Sequence, residues 1–189
     1  MNLTRRDFVE QALIATTAAL ATGTGIPALA AEDPPRRPVG PNDKIRVAVI
    51  GVNGQGGAHV GEWLKNPDVD LVAICDCDPG AYERIAAKIK DRPELPRYEQ
   101  DIRRLLDDKT IDAVSIATPN HWHALAAVWA MRVGKDVYVE KPCSHNVHEG
   151  RVMTQWARKL GRMCQMGVQS RSMTGMRETL DFVHSGKIG

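Results

Sequence analysis

Short apolar, β-branched runs in this chain repeatedly stop on a glycine or polar residue and give way to a stretch of helical length. Residues 44–50 (KIRVAVI) stop at Gly51, and residues 69–75 (VDLVAIC) stop at Asp76. Residues 113–118 (AVSIAT) end before Pro119, and residues 136–139 (DVYV) end before Glu140. Shorter runs near 97–98 and over 162–166 add two more strands. Helices are expected over 58–65, 80–90, 101–107 and 121–133, with breakers at Asn66-Pro67, Arg92-Pro93 and Gly134. Asn146 suits the cap of a helix reaching 159, and 174–184 reads as a last helix before Gly186. Strands separated by such helices make βαβ units, so the expected fold class is α/β, a doubly wound parallel sheet. Ligands of such sheets sit beyond the carboxyl ends of the strands. Those ends here are Gly51, Asp76, Thr118 and Glu140.

The first of these ends carries the sharpest local signal. Gly51-Val52-Asn53-Gly54-Gln55-Gly56-Gly57 joins a strand to a helix. Glycine at such a turn lets backbone N–H groups approach a pyrophosphate with no Cβ in the way. Gly51 would make the turn and Gly56 would allow close packing of helix on strand. The middle glycine of G-x-G-x-x-G is replaced by Asn53, with Gly54 beside it. Gly51, Asn53, Gly54, Gln55 and Gly56 are therefore the expected cofactor contacts of the loop. Asp76 ends the next strand, where an acidic residue accepts the adenosine ribose hydroxyls. Together these predict a Rossmann-type dinucleotide site. The carboxylate would repel a 2′-phosphate, which favours NAD over NADP. The first basic residue after Asp76 is Arg84, eight positions on.

Lys and Arg number 25 and Asp and Glu 23, so the net charge of +2 offers no field for a nucleic acid. Four cysteines in 189 residues are too few for a disulfide scaffold, and buried thiols are the expectation for Cys75, Cys77, Cys143 and Cys164. His121, His123, His145 and His148 lack the partners of a tetrahedral metal set, so no metal is expected. Trp122, Trp129 and Trp156 are expected to pack. No stretch after residue 31 is long and apolar enough to cross a bilayer. The start is different. Thr4-Arg5-Arg6-Asp7-Phe8, a weakly apolar middle and Ala28-Leu29-Ala30 are similar to a twin-arginine export signal over 1–30. A periplasmic or exported protein is the expectation. Pro34, Pro35, Pro38 and Pro41 make 31–43 an extended linker.

Thr118-Pro119-Asn120-His121-Trp122-His123 opens the helix after the fourth strand, and Glu140-Lys141-Pro142 follows the fifth. With the phosphate loop, this pair resembles the Gfo/Idh/MocA oxidoreductases. The resemblance runs from Lys44 to Gly189, with the nucleotide-binding domain over 44–166 and a crossover toward a second domain over 167–189. It implies hydride transfer between a nicotinamide cofactor and a hydroxyl group of a sugar, polyol or related small molecule. Carried over, Lys141 is the catalytic lysine that contacts the reacting hydroxyl, a role that burial of its ammonium would assist. Glu140 would orient the cofactor. Thr118, Pro119, Asn120 and His123 would line the nicotinamide side, and Arg171 would stand at the mouth of the site. The family's α+β substrate domain is essentially absent, so a truncated or partial chain is expected; the full-length form would be a homo-oligomer. The same fold also serves NAD-dependent glycoside hydrolases, and a fragment could bind nucleotide without catalysis. Thr-Pro-Asn-His-Trp-His leans toward the oxidoreductases.

Overall fold

The structure is a computed structural model that describes Gly40 and residues 43–188. The expected export signal, nearly all of the linker and the last residue lie outside the described residues. Among the described residues, six strands form one sheet: β1 (Ile45–Ile50), β2 (Val69–Cys75), β3 (Arg97–Glu99), β4 (Ala113–Ile116), β5 (Asp136–Val139) and β6 (Cys164–Met166). Every pairing is parallel and the order is β3-β2-β1-β4-β5-β6. The order reverses between β1 and β4, which opens a crevice at their carboxyl ends. The doubly wound sheet expected from the alternation is therefore present.

The helices are α1 (Gln55–Lys65), α2 (Pro79–Lys88), α3 (Ile102–Leu106), α4 (Asn120–Arg132), α5 (Val147–Lys159) and α6 (Thr174–His184). The period-two alternation of β1 distributes its side chains between two cores. Val49 faces Val60, Leu71, Ile74, Ala81 and Ile85, under α1 and α2. Ala48 and Ile50 face the other way, toward Leu105, Ala126, Ala127, Met131 and Met153 under α3, α4 and α5. Ala126, Ala127 and Ala130 are fully buried, so α4 lies close against β4 and β5.

Caps set several helix starts. The Asp78, Asp101 and Asn146 side chains accept from the backbone N–H groups of Gly80, Arg103 and Glu149. Several boundaries differ from expectation by one to three residues. Helix α1 begins at Gln55, three residues early, because Gly54 rather than a later residue takes the cap position. Helix α2 ends at Lys88, before Arg92-Pro93 is reached. Strand β4 stops at Ile116, where Ala117 and Thr118 turn away toward α4. Beyond β6, a 3-10 turn (Gln169–Ser172) leads to α6, whose residues are all exposed.

Candidate cofactor site

The glycine loop is tied to its neighbours by backbone contact. Gly51 has φ +81°, and a Cβ there would meet Thr118 N at 2.9 Å and the Ala117 carbonyl at 3.0 Å. A Cβ on Gly56 would run into the Gly51 carbonyl oxygen. These two glycines let the loop, α1 and the turn after β4 close on one another. Around Gly54 there is nothing within 4 Å of a Cβ, so the loop presents bare backbone to open space.

Asp76 stands at the end of β2 and holds this loop. Its Oδ2 accepts from Val52 N at 2.8 Å and its Oδ1 from Asp78 N at 3.0 Å. Each oxygen keeps a further lone pair for a ligand hydroxyl. The Tyr98 hydroxyl donates to the Asp76 carbonyl at 2.8 Å, and its ring stacks on Tyr82. Arg84 comes closer than its place in sequence suggests. It donates to Asn53 Oδ1 at 2.6 Å and to Asp78 Oδ2 at 3.3 Å, so a cation paired with a carboxylate stands at the rim.

Between these groups lies a crevice of about 1090 Å³, lined by Gly51, Asn53, Gly54 and Asp76 on one side and by Thr118, Pro119 and Trp122 on another. That volume exceeds the usual 300–1,000 Å³ range of small-molecule pockets, as an extended ligand requires. The Thr118 Oγ1 is buried without a hydrogen-bond partner, an orphan of the kind a ligand satisfies. Bare loop amides, the Asp76 carboxylate and this hydroxyl all fit a dinucleotide.

Several expectations need correction. Trp122 and Trp129 are not simply packing residues, because both line the crevice, with ring centroids 6.3 Å apart. Cys77 is exposed and also lines the crevice, because β2 ends at Cys75 and the chain turns outward. Burial, reinforced by Glu99 and Asp76, pushes the Cys75 thiol up to about 12, and burial beside Cys143 pushes Cys164 up to about 11. His123 lies behind the crevice wall rather than on it. It is buried, with Nδ1 2.6 Å from the Pro142 carbonyl and Nε2 2.7 Å from the Thr118 carbonyl. It therefore joins the turn after β4 to the turn after β5. The Lys141 side chain is exposed, not buried, and its backbone N–H donates to Glu140 Oε2 at 3.1 Å. Glu140 is buried against His59. Gln55 and Asn120 are exposed at the first turns of α1 and α4, and Arg171 is exposed in the 3-10 turn.

One cluster was not anticipated. His59, Ser115 and Glu140 are all buried, with His59 hydrogen-bonded to both of the others and its ring beside that of Tyr138. Burial, then Glu140, raises the Tyr138 hydroxyl above its ordinary range.

Residues 45–168 match the Gfo/Idh/MocA oxidoreductase family, NAD-binding Rossmann fold. The chain belongs to this family. It is 32% identical to a glycosyl hydrolase family 109 protein of Saccharopolyspora erythraea, over 96% of this chain but 44% of that protein. Among solved structures it resembles myo-inositol 2-dehydrogenase from Lactobacillus plantarum, with a TM-score of 0.69 and 26% identity over 78% of this chain and 43% of that one. An NAD binding oxidoreductase from Klebsiella pneumoniae is similar at TM-score 0.63 and 28% identity, over 77% and 40% of the two chains. The chain thus spans less than half the length of these relatives, and it covers the family's NAD-binding half.

Proposed function

We propose that this chain is the cofactor half of an NAD-dependent oxidoreductase that oxidises or reduces a hydroxyl-bearing carbon of a cyclic polyol or sugar. The observation that carries the reading is the glycine loop backed by Asp76: bare amides at Gly54 beside a carboxylate fixed at 2.8 Å to the loop. The loop amides and the start of α1 hold the diphosphate. Asp76 accepts the ribose hydroxyls and disfavours a 2′-phosphate. The Thr118 hydroxyl and Pro119 bound the far end of the cofactor. When bound, the nicotinamide supplies a hydride acceptor or donor. Lys141 holds the reacting hydroxyl and carries its proton, and the turn fixed by His123 and Glu140 sets where that lysine stands.

A second reading is favoured by the glycosyl hydrolase family 109 relatives. In it a sugar hydroxyl is oxidised transiently, the aglycone leaves by elimination, water adds at the carbon it left, and the hydride returns to the carbonyl. The two differ in the fate of the cofactor. With NAD present, the oxidoreductase accumulates NADH on inositols or sugars and releases nothing from nitrophenyl glycosides. The hydrolase releases nitrophenol only when NAD is present and accumulates no NADH. Absence of both products from the enzyme carrying this half would reject both readings. With residues 1–30 read as a twin-arginine export signal, the proposal places this chemistry outside the cytoplasm, after folding and cofactor loading.

A further inference from the structure

Three polar side chains are buried together between the sheet and the helix that follows the glycine loop, where apolar ones would pack with less desolvation. His59 lies on α1, directly behind the glycine loop; Ser115 is on β4; Glu140 closes β5. Their residues are 8%, 0% and 4% exposed. His59 Nδ1 is 2.9 Å from Ser115 Oγ and His59 Nε2 is 3.1 Å from Glu140 Oε1. The other carboxylate oxygen, Oε2, accepts from the Lys141 backbone N–H. A buried polar group is costly unless satisfied, so a connected set like this must earn its place.

The chemistry of the partners assigns the protons. An ionised carboxylate only accepts, so His59 Nε2 donates to Glu140. Ser115 can donate or accept. The ring edge is fixed by Tyr138, 5.5 Å away at 78°. Gly167 seals the other side, since a Cβ there would lie 2.6 Å from the Tyr138 hydroxyl and 3.0 Å from Glu140 Oε1. The carboxylate has no room to choose another rotamer while His59 holds it.

We propose that His59 is a positioning residue for Lys141, acting through Glu140 in a Ser115–His59–Glu140 relay that ties the phosphate-loop helix to the turn after β5. This rests on the reading of Lys141 as the lysine that meets the substrate. Among the described residues, these hydrogen bonds lead from Ser115 through His59 on the phosphate-loop helix to the Lys141 amide. Loss of His59 leaves Glu140 buried without its side-chain partner. Its carboxyl is then free to turn outward, and the bond to the Lys141 amide weakens.

Nitrogen-detected NMR of the wild-type full chain should find His59 protonated at Nε2, with that proton hydrogen-bonded and slow to exchange. Amide exchange should then fall in protection at Lys141 by at least about tenfold in His59→Phe, while the Val49 amide in β1 is unchanged. His59→Gln, which retains a donor toward Glu140, should restore most of that protection. Ser115→Ala should lower it less than His59→Phe. If His59→Phe does not fold, the wild-type ring and Ser115→Ala decide. An unprotonated Nε2, or Lys141 protection that ignores every substitution, overturns the proposal. NADH titration of the same samples keeps the two readings apart. Wild type that fails to bind NADH overturns the cofactor reading, whereas lost Lys141 protection with NADH binding intact is the result the relay predicts.

Discussion

Asp76→Ala should unfold this chain more easily even when no cofactor is added. In the structure the carboxylate accepts two backbone N–H groups, and they differ in what replaces it. Val52 is 3% exposed, so its N–H, bonded at 2.8 Å, has no water to turn to. Asp78 is exposed, so its N–H finds solvent. The cost is therefore set by the one orphaned amide, about 1–3 kcal/mol. With a urea slope of about 2 kcal/mol per molar, a loss near 2 kcal/mol moves the midpoint down by about 1 M. Unfolding followed by tryptophan fluorescence reads this directly. Asp76→Asn keeps one acceptor oxygen and should lose roughly half as much. If the alanine variant unfolds at the wild-type urea concentration with the same slope, Asp76 does not hold the loop and its pairing with Val52 carries no energy.

Cys77 should be the first thiol to react with a disulfide reagent near neutral pH, while Cys75 and Cys164 stay silent because burial holds them protonated. Since Cys77 lines the crevice, NADH should slow its labelling, and Cys77→Ser should remove the fast phase. Asp101 is lowered from 3.8 to about 2 by its hydrogen bonds to the Arg103 side chain and backbone. Its contribution to the start of α3 is thus complete above pH 3.8 and is lost as the pH falls toward 2; Asp101→Asn should flatten an acid titration of stability in that window. Arg5→Lys with Arg6→Lys should keep the protein in the cytoplasm, as cell fractionation would read, and continued export of the double variant would reject the twin-arginine signal.

The sheet was legible because its pattern is local. Runs such as VDLVAIC and DVYV carry their strand assignment in a few residues, and the glycines at 51 and 56 announce contacts that the structure realises as backbone against backbone. The crevice wall was half legible. Trp122 and Trp129 are seven residues apart, two helical turns, which puts them on one face of α4. Which face looked into the crevice depended on the buried alanines between them. Arg84 was eight residues from Asp76 in sequence, yet α2 folds it back over Asn53. The relay was hidden because its members are distant: 56 residues separate His59 from Ser115 and 81 separate it from Glu140. The available signal was a polar residue inside each of three apolar patterns, Ser115 within AVSI, His59 beside Val60, and Glu140 ending DVYV. Polar residues in central elements require partners, but only the fold says which ones meet.

The central claim is that this crevice holds NAD through a glycine loop and Asp76. Fluorescence titration of the chain with NADH and NADPH tests it most directly. The account predicts saturable NADH binding, NADPH weaker by at least about tenfold, or about 1.4 kcal/mol, and most of that difference erased in Asp76→Ala. Failure to bind NADH, or NADPH binding as tightly to the wild-type chain, would contradict it.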